Sequence, residues 1–197
     1  INNEISKTGN KFIKIKSKKI KLQDVNNSKK NSDETIEGLN TFSVFNSKFN
    51  TSYNYKDNLL KFNSSKSLSS NYNINYSGKL SFKPFDLVID AKLKNLKIGK
   101  MINADSVYTE IFKNNILFNK NISAKISINS IENNNKLFDF AKIVLNVNNG
   151  KINFNQTGFF NERIGQLKIV DSNLFLQNND LILNSKIVID LKNSSKF

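Results

Sequence analysis

Apolar side chains at every second position constrain this chain more than any other feature. Phe85, Leu87, Ile89, Ala91 and Leu93 recur with Asp86, Asp90, Lys92 and Lys94 mostly between them. Ile122, Ala124, Ile126 and Ile128 repeat the pattern, with Ser123, Lys125, Ser127 and Asn129 between. Ile143, Leu145 and Val147 follow, then Ile152 and Phe154, Leu167 and Ile169, and Leu174 and Leu176. The longest run is Leu181, Leu183, Ser185, Ile187, Ile189 and Leu191. Successive side chains of a strand point to opposite faces, so period two marks strands with one buried face.

The turn residues agree with this reading. Asn149-Gly150 is a strong two-residue hairpin signal and predicts Val147 opposite Ile152 and Leu145 opposite Phe154. A turn at Asp171-Ser172 would set Ile169 opposite Leu174 and Leu167 opposite Leu176. A turn at Asn178-Asn179 would set Leu176 opposite Leu181 and Leu174 opposite Leu183. Together these turns place Leu167, Ile169, Leu174, Leu176, Leu181 and Leu183 on one face. The expected fold class is mainly β: a curled antiparallel up-and-down sheet, as a β-groove or a partly open barrel.

One segment breaks the period. From Ile98 to Asn115 the apolar residues Ile98, Met101, Ile102, Val107, Tyr108, Ile111 and Phe112 are spaced mainly by three and four. This predicts a short helical insertion near 98–115, with Asp105 or Ser106 as an N-cap. Residues 1–77 read as a separate polar segment, rich in Asn, Ser and Lys. It has short strand-like alternations at Phe12–Ile15 and Ile20–Leu22, and Phe42, Val44, Phe49, Tyr53 and Tyr55 fit further strands. Asn26 to Glu37 reads as a loop or flexible linker. Residues 78–197 form the expected β domain.

Composition narrows function by exclusion. The chain of 197 residues has no His, Cys or Trp. That removes imidazole and thiolate mechanisms, zinc sites of the usual kind and disulfides. No carboxylates cluster into an acid–base or metal site, so no catalytic residues, no metal, no cofactor and no enzymatic activity are expected. The net charge is +14, but only Arg163 among the 30 basic residues is an arginine. Nucleic-acid sites draw on the forked donors of Arg, so a solvated lysine-rich surface is the reading, with no specific nucleic-acid partner. No stretch reaches the ~18 apolar residues of a membrane helix. The chain begins at Ile1 rather than Met, and it is expected to be a piece of a longer protein.

Phe85 to Met101-Ile102 is expected to run from a strand through Lys94-Asn95-Leu96-Lys97-Ile98-Gly99-Lys100 into a short helix. Asn121 to Ile128 is the strand that follows. Phe138 to Ile143 leads to Asn149-Gly150-Lys151-Ile152, and Gly165 to Ile169 opens the final strands. Over roughly Gly78 to Phe197 this layout resembles the AsmA-like proteins of the bacterial envelope. The resemblance implies a periplasmic β-sheet with an apolar concave face, in a parent protein anchored in the inner membrane. It also implies a role in phospholipid transport or outer-membrane biogenesis.

The expected working element is therefore a surface. An acyl chain gains about 0.8 kcal/mol per buried CH₂. Eight strands at about 4.8 Å spacing offer a track of nearly 40 Å. The candidate lining is Leu145, Val147, Ile152, Phe154, Leu167, Ile169, Leu174, Leu176, Leu181 and Leu183. The expected partners are phospholipid acyl chains or another envelope lipid, and other envelope proteins. The main alternative is a structural or adhesive extracellular β module without a ligand, in which the same residues are plain core. A transmembrane β-barrel is a further reading.

Overall fold

The computed structural model describes residues 8–16, 21–44, 47–64, 68–69, 74–94, 116–131, 138–178 and 180–192. Its strands are β1 (Thr8–Lys16), β2 (Lys21–Lys30), β3 (Ile36–Val44), β4 (Ser47–Lys56), β5 (Leu59–Ser64), β6 (Leu68–Ser69) and β7 (Ile74–Phe82). Then come β8 (Phe85–Lys94), β9 (Ile122–Ile131), β10 (Phe140–Asn148), β11 (Lys151–Asn153), β12 (Gly158–Asn161), β13 (Gly165–Gln177) and β14 (Asp180–Leu191). All fourteen belong to one sheet. It is mainly antiparallel and curled, without the regular closure of a barrel. Among the described residues no pairing joins β1 to β14. The helix expected near 98–115 lies outside the described residues.

Four expectations change. First, Asn26 to Glu37 is not a loop: Asn26–Lys30 continue β2, Ile36 and Glu37 open β3, and the chain turns over 31–35. Period two is silent here because this face of β2 is polar. Those polar groups are satisfied across strands, with Asn40 Nδ2 donating to Asp24 Oδ1 and Tyr53 Oη donating to Asn26 Oδ1 at 2.9 Å. Second, the boundary expected between 77 and 78 falls inside β7, where Gly78 sits opposite Phe62 on one side and Ile89 on the other. Hydrogen bonding thus runs unbroken from β1 to β14.

Third, β8 and β9 pair in parallel, from Phe85↔Ile122 to Lys94↔Ile131. Parallel neighbours need a crossover of a dozen or more residues, which the segment 95–121 provides. Fourth, Asp171 and Ser172 do not form a hairpin turn. They form a bulge inside β13, where the pairing with β14 slips by one between Val170↔Lys186 and Asn173↔Asn184. Asp171 has φ 51°. One extra residue reverses the facing of everything after it, as a two-residue turn would. Leu167, Ile169, Leu174 and Leu176 therefore do share a face.

The bulge is held by its neighbour. Between β11 and β12 the chain leaves the ladder at 154–157, with Gln156 at φ 70°. There Phe154 N–H donates to Ser172 Oγ at 3.2 Å, and Ser172 N–H donates to Asn155 Oδ1 at 2.8 Å. Thr157 fills the gap in the ladder. Its Oγ1 accepts from Val144 N–H at 2.9 Å and donates to the Val144 carbonyl at 3.1 Å. Its own carbonyl accepts from Ile169 N–H at 2.9 Å. Val144, Thr157 and Ser172 are buried. Thr157→Val keeps the shape but strands the Val144 backbone groups, at a cost of about 1–3 kcal/mol. Thr157→Ser should lose less. Chemical denaturation of the three proteins checks this order.

The turn at 31–35 carries a charge device. Thr35 Oγ1 donates to Asp33 Oδ2 at 2.7 Å, Thr35 N–H donates to Oδ1 at 3.2 Å, and Lys56 Nζ lies 3.1 Å from Oδ2. The Thr35 hydroxyl, then Lys56 and the Thr35 amide, hold the Asp33 carboxyl down at about 2, from 3.8. A depressed carboxylate contributes stability above its unfolded value and loses it as pH falls through the folded value, here from about 4 to about 2. Thr35→Val should move the Asp33 midpoint up toward the ordinary carboxylate value in an NMR titration.

Candidate functional site

Cross-strand partners share a face, so the register can be followed from one side of the sheet to the other. A lane of direct neighbours begins Ile36↔Tyr55↔Leu60↔Leu80↔Leu87. It continues Leu87↔Ala124↔Val147↔Ile152↔Leu174↔Leu183. Every member is apolar or aromatic. At about 4.8 Å per step the lane is on the order of 40 Å long. A second lane lies beside it, Gly38↔Tyr53↔Phe62↔Gly78↔Ile89↔Ile126↔Leu145.

The two glycines of the second lane have a steric purpose. A Cβ on Gly38 would sit 2.5 Å from the Tyr53 ring, and one on Gly78 would sit 2.5 Å from the Phe62 ring. Each ring leans over the glycine of the neighbouring strand. Further along the same face Phe42, Phe49, Tyr76 and Phe62 form a chain of ring contacts with centroids 6.3–6.5 Å apart. Tyr76 Oη bonds Thr51 Oγ1, which satisfies both hydroxyls at the edge of this aromatic patch.

Charge is sorted by face. In β4 to β14, Lys48, Lys56, Lys61, Lys79, Lys92, Lys94, Lys125, Lys142, Lys151, Lys168 and Lys186 all occupy positions of the opposite parity to the lane. The outer face also carries Asp86, whose Oδ1 accepts from Ser123 Oγ at 2.8 Å, and Asn146, whose Nδ2 donates to Asn153 Oδ1 at 3.1 Å. The lane ends at β3, because the β2 residue opposite Ile36 is Lys30, and Ser28, Asn26 and Asp24 follow it on the lane side, opposite Gly38, Asn40 and Phe42. The sheet therefore has one face that carries the strand lysines, covered locally at Val144 and Ser127, and one apolar face whose far end turns polar.

The residues expected to line a groove have different surroundings. Val147, Ile152 and Leu174 are buried with Ala124, and Leu145 and Phe154 pack against them. Leu117 and Phe118, from the 3₁₀ turn Ile116–Phe118, pack on this cluster from above. This part of the lane is covered core. The turn geometry fits: Asn149 and Gly150 have φ 52° and 70°, Val147 faces Ile152, and a Cβ on Gly150 would meet the Phe118 carbonyl at 2.6 Å. Phe154 lies beyond the end of β11 at Asn153, so Leu145 and Phe154 each pack on the cluster but are not a ladder pair.

Leu167, Ile169 and Leu176 are half-buried, whereas Leu181 and Leu183 are exposed, Leu183 at 58 %. Leu176↔Leu181 and Leu174↔Leu183 pair as expected. The sequence reading placed Tyr55 and its neighbours Phe42, Phe49 and Tyr53 in strands but not in the lining, and it missed Leu60 and Leu80. Their signal was present: Asp57 and Asn58 both have positive φ and make a two-residue turn, with Tyr55↔Leu60 and Tyr53↔Phe62 on either side.

Among the described residues no three His, Cys, Asp or Glu side chains gather to hold a metal ion, and no helix is long and apolar enough to cross a membrane. Comparison with protein-family models, with curated proteins and with solved structures gives no match.

The covered and open parts of the lane predict different phenotypes. Val147→Asp buries a charge in a site with 1 % exposure and should unfold the protein, at a cost of several kcal/mol. Leu183→Asp should leave the melting transition nearly unchanged. Thermal melts followed by circular dichroism separate the two.

Proposed function

We propose that this chain is a lipid-binding module of a bacterial envelope protein, on the plan of the AsmA-like family, with acyl chains lying along its apolar face. The observation that carries the reading is the sorting of faces. A lane of apolar residues crosses the sheet on the side that the strand lysines of β4 to β14 avoid. Tyr55, Leu60, Leu80 and Leu87 are only half-buried, and Leu183 is exposed, so the face is covered at Leu117 and Phe118 and open on both sides. Acyl chains meet only apolar atoms and aromatic edges there. Lys30 of β2, exposed and opposite Ile36, offers an anionic headgroup a cationic partner where the lane ends. No bond is made or broken in such binding, so no nucleophile, base or metal takes part. The module faces the periplasm, in a parent anchored in the inner membrane, and passes or holds phospholipid during outer-membrane biogenesis.

Native mass spectrometry of protein purified from bacterial membranes and cytosol tests this. The wild-type chain should carry phospholipid. Leu181→Asp/Leu183→Asp should keep the fold and weaken retention of added phospholipid by roughly 10- to 100-fold, the loss of one or two leucine contacts. A cooperatively folded, lipid-free wild type that takes up no added phospholipid would exclude the lipid reading and leave a structural β module.

A further inference from the structure

The two borders of the sheet are built differently. β1 carries Lys11, Lys14 and Lys16 within nine residues, and lysines on an edge discourage further pairing. β14 is a strand of twelve residues with no proline and a single internal lysine, Lys186. Among the described residues it pairs only with β13. On its apolar side Leu181, Leu183, Ile187, Ile189 and Leu191 are all exposed, Ile187 at 61 %. This border is also electrically balanced. Asp180 and Asp190 offset Lys186 and Lys192, in a chain whose net charge is +14. Two copies can therefore approach here without the repulsion that opposes them elsewhere.

The register of such a meeting can be derived. Antiparallel strands related by a two-fold axis keep apolar face with apolar face only when the axis passes through a residue. An axis at Lys186 sets that lysine against its own copy. One at Ser185 sets Asp180 against Asp190. One at Ile187 leaves the charged residues opposite uncharged ones. An axis at Leu183 sets Lys186 opposite Asp180, but pairs only 180–186 and leaves the exposed Ile187, Ile189 and Leu191 of both copies outside. An axis at Val188 sets Lys186 opposite Asp190 of the second copy, twice by symmetry, sets Ile187 opposite Ile189 on the apolar side, and brings Leu191 in as well. Lys186 and Asp190 are both exposed on the outer face, and the Asp190 carboxylate accepts from Gln166 Nε2 at 2.8 Å, which orients it.

We infer that two copies of this chain join through β14, antiparallel about Val188, into a closed two-fold dimer whose apolar faces run on into one another. The pairing satisfies the open backbone groups of both edges and covers part of the exposed apolar side. Sedimentation of the full chain over a range of concentrations should show a monomer–dimer equilibrium and no larger species. Lys186→Asp and Asp190→Lys each turn two attractions into two repulsions and should weaken the dimer at least about tenfold. The double exchange, Lys186→Asp with Asp190→Lys, should restore it. The chain has no cysteine, so Val188→Cys under mild oxidation should crosslink to itself, whereas Ile182→Cys, far from the axis, should not. A monomer at every concentration, an open series of larger oligomers, or equal crosslinking at both positions would overturn the proposal. So would folded single variants that dimerise as well as wild type. If the charge variants do not fold, the crosslinking pair decides alone.

Discussion

The alternation of side chains across a strand is the constraint on which the rest depends. A one-residue slip at any pairing would carry a strand's lysines to the apolar side and its leucines to water. The sheet runs through fourteen strands without such an error in β4 to β14. Turns and glycines set the register at several points. Asp57-Asn58 and Asn149-Gly150 take positive φ in two-residue turns, and Gly38 and Gly78 leave room for rings from the next strand. Apolar burial then rewards one register and penalises its neighbours.

The C-terminal half keeps this parity through irregularity. β13 needs an odd step to bring Ile169 and Leu174 to one face, and the bulge at Asp171-Ser172 supplies it. The break at 154–157 in the adjacent chain meets that bulge, and Ser172, Asn155 and Thr157 replace the lost ladder bonds with side-chain ones. Buried backbone groups left unpaired would cost about 1–3 kcal/mol each, so the two defects are tolerable only together. The same stretch lies next to the covered core of Ala124, Val147, Ile152 and Leu174. The most deeply buried part of the lane and the bulged backbone of β13 are thus neighbours.

Much of this was legible in the residues, and the failures have physical reasons. Strands from Phe85 onward announce themselves because one face is apolar and the other charged. The shared face of Leu167, Ile169, Leu174, Leu176, Leu181 and Leu183 was also legible, although the bulge was not: a bulge and a two-residue turn leave the same parity. The parallel pairing of β8 with β9 was hidden, because period two carries no direction. β2 was hidden because Asp24, Asn26 and Ser28 put polar atoms on the lane side, and only Asn40 and Tyr53 of other strands reveal their partners. Of the candidate lining, local pattern could find the face but not its cover. Leu117 and Phe118 close it over Val147 and Ile152, while Leu181 and Leu183 stay in water.

The central claim is that the apolar lane is what a lipid touches. Photocrosslinking with a phospholipid bearing a diazirine on its acyl chain, followed by peptide mapping, tests it most directly. The account predicts labels on Tyr55, Leu60, Leu80 and Leu183, and none on Lys61, Lys79 or Lys186 one or more steps away on the other face. Labels spread equally over both parities, or confined to the lysine face, would contradict it.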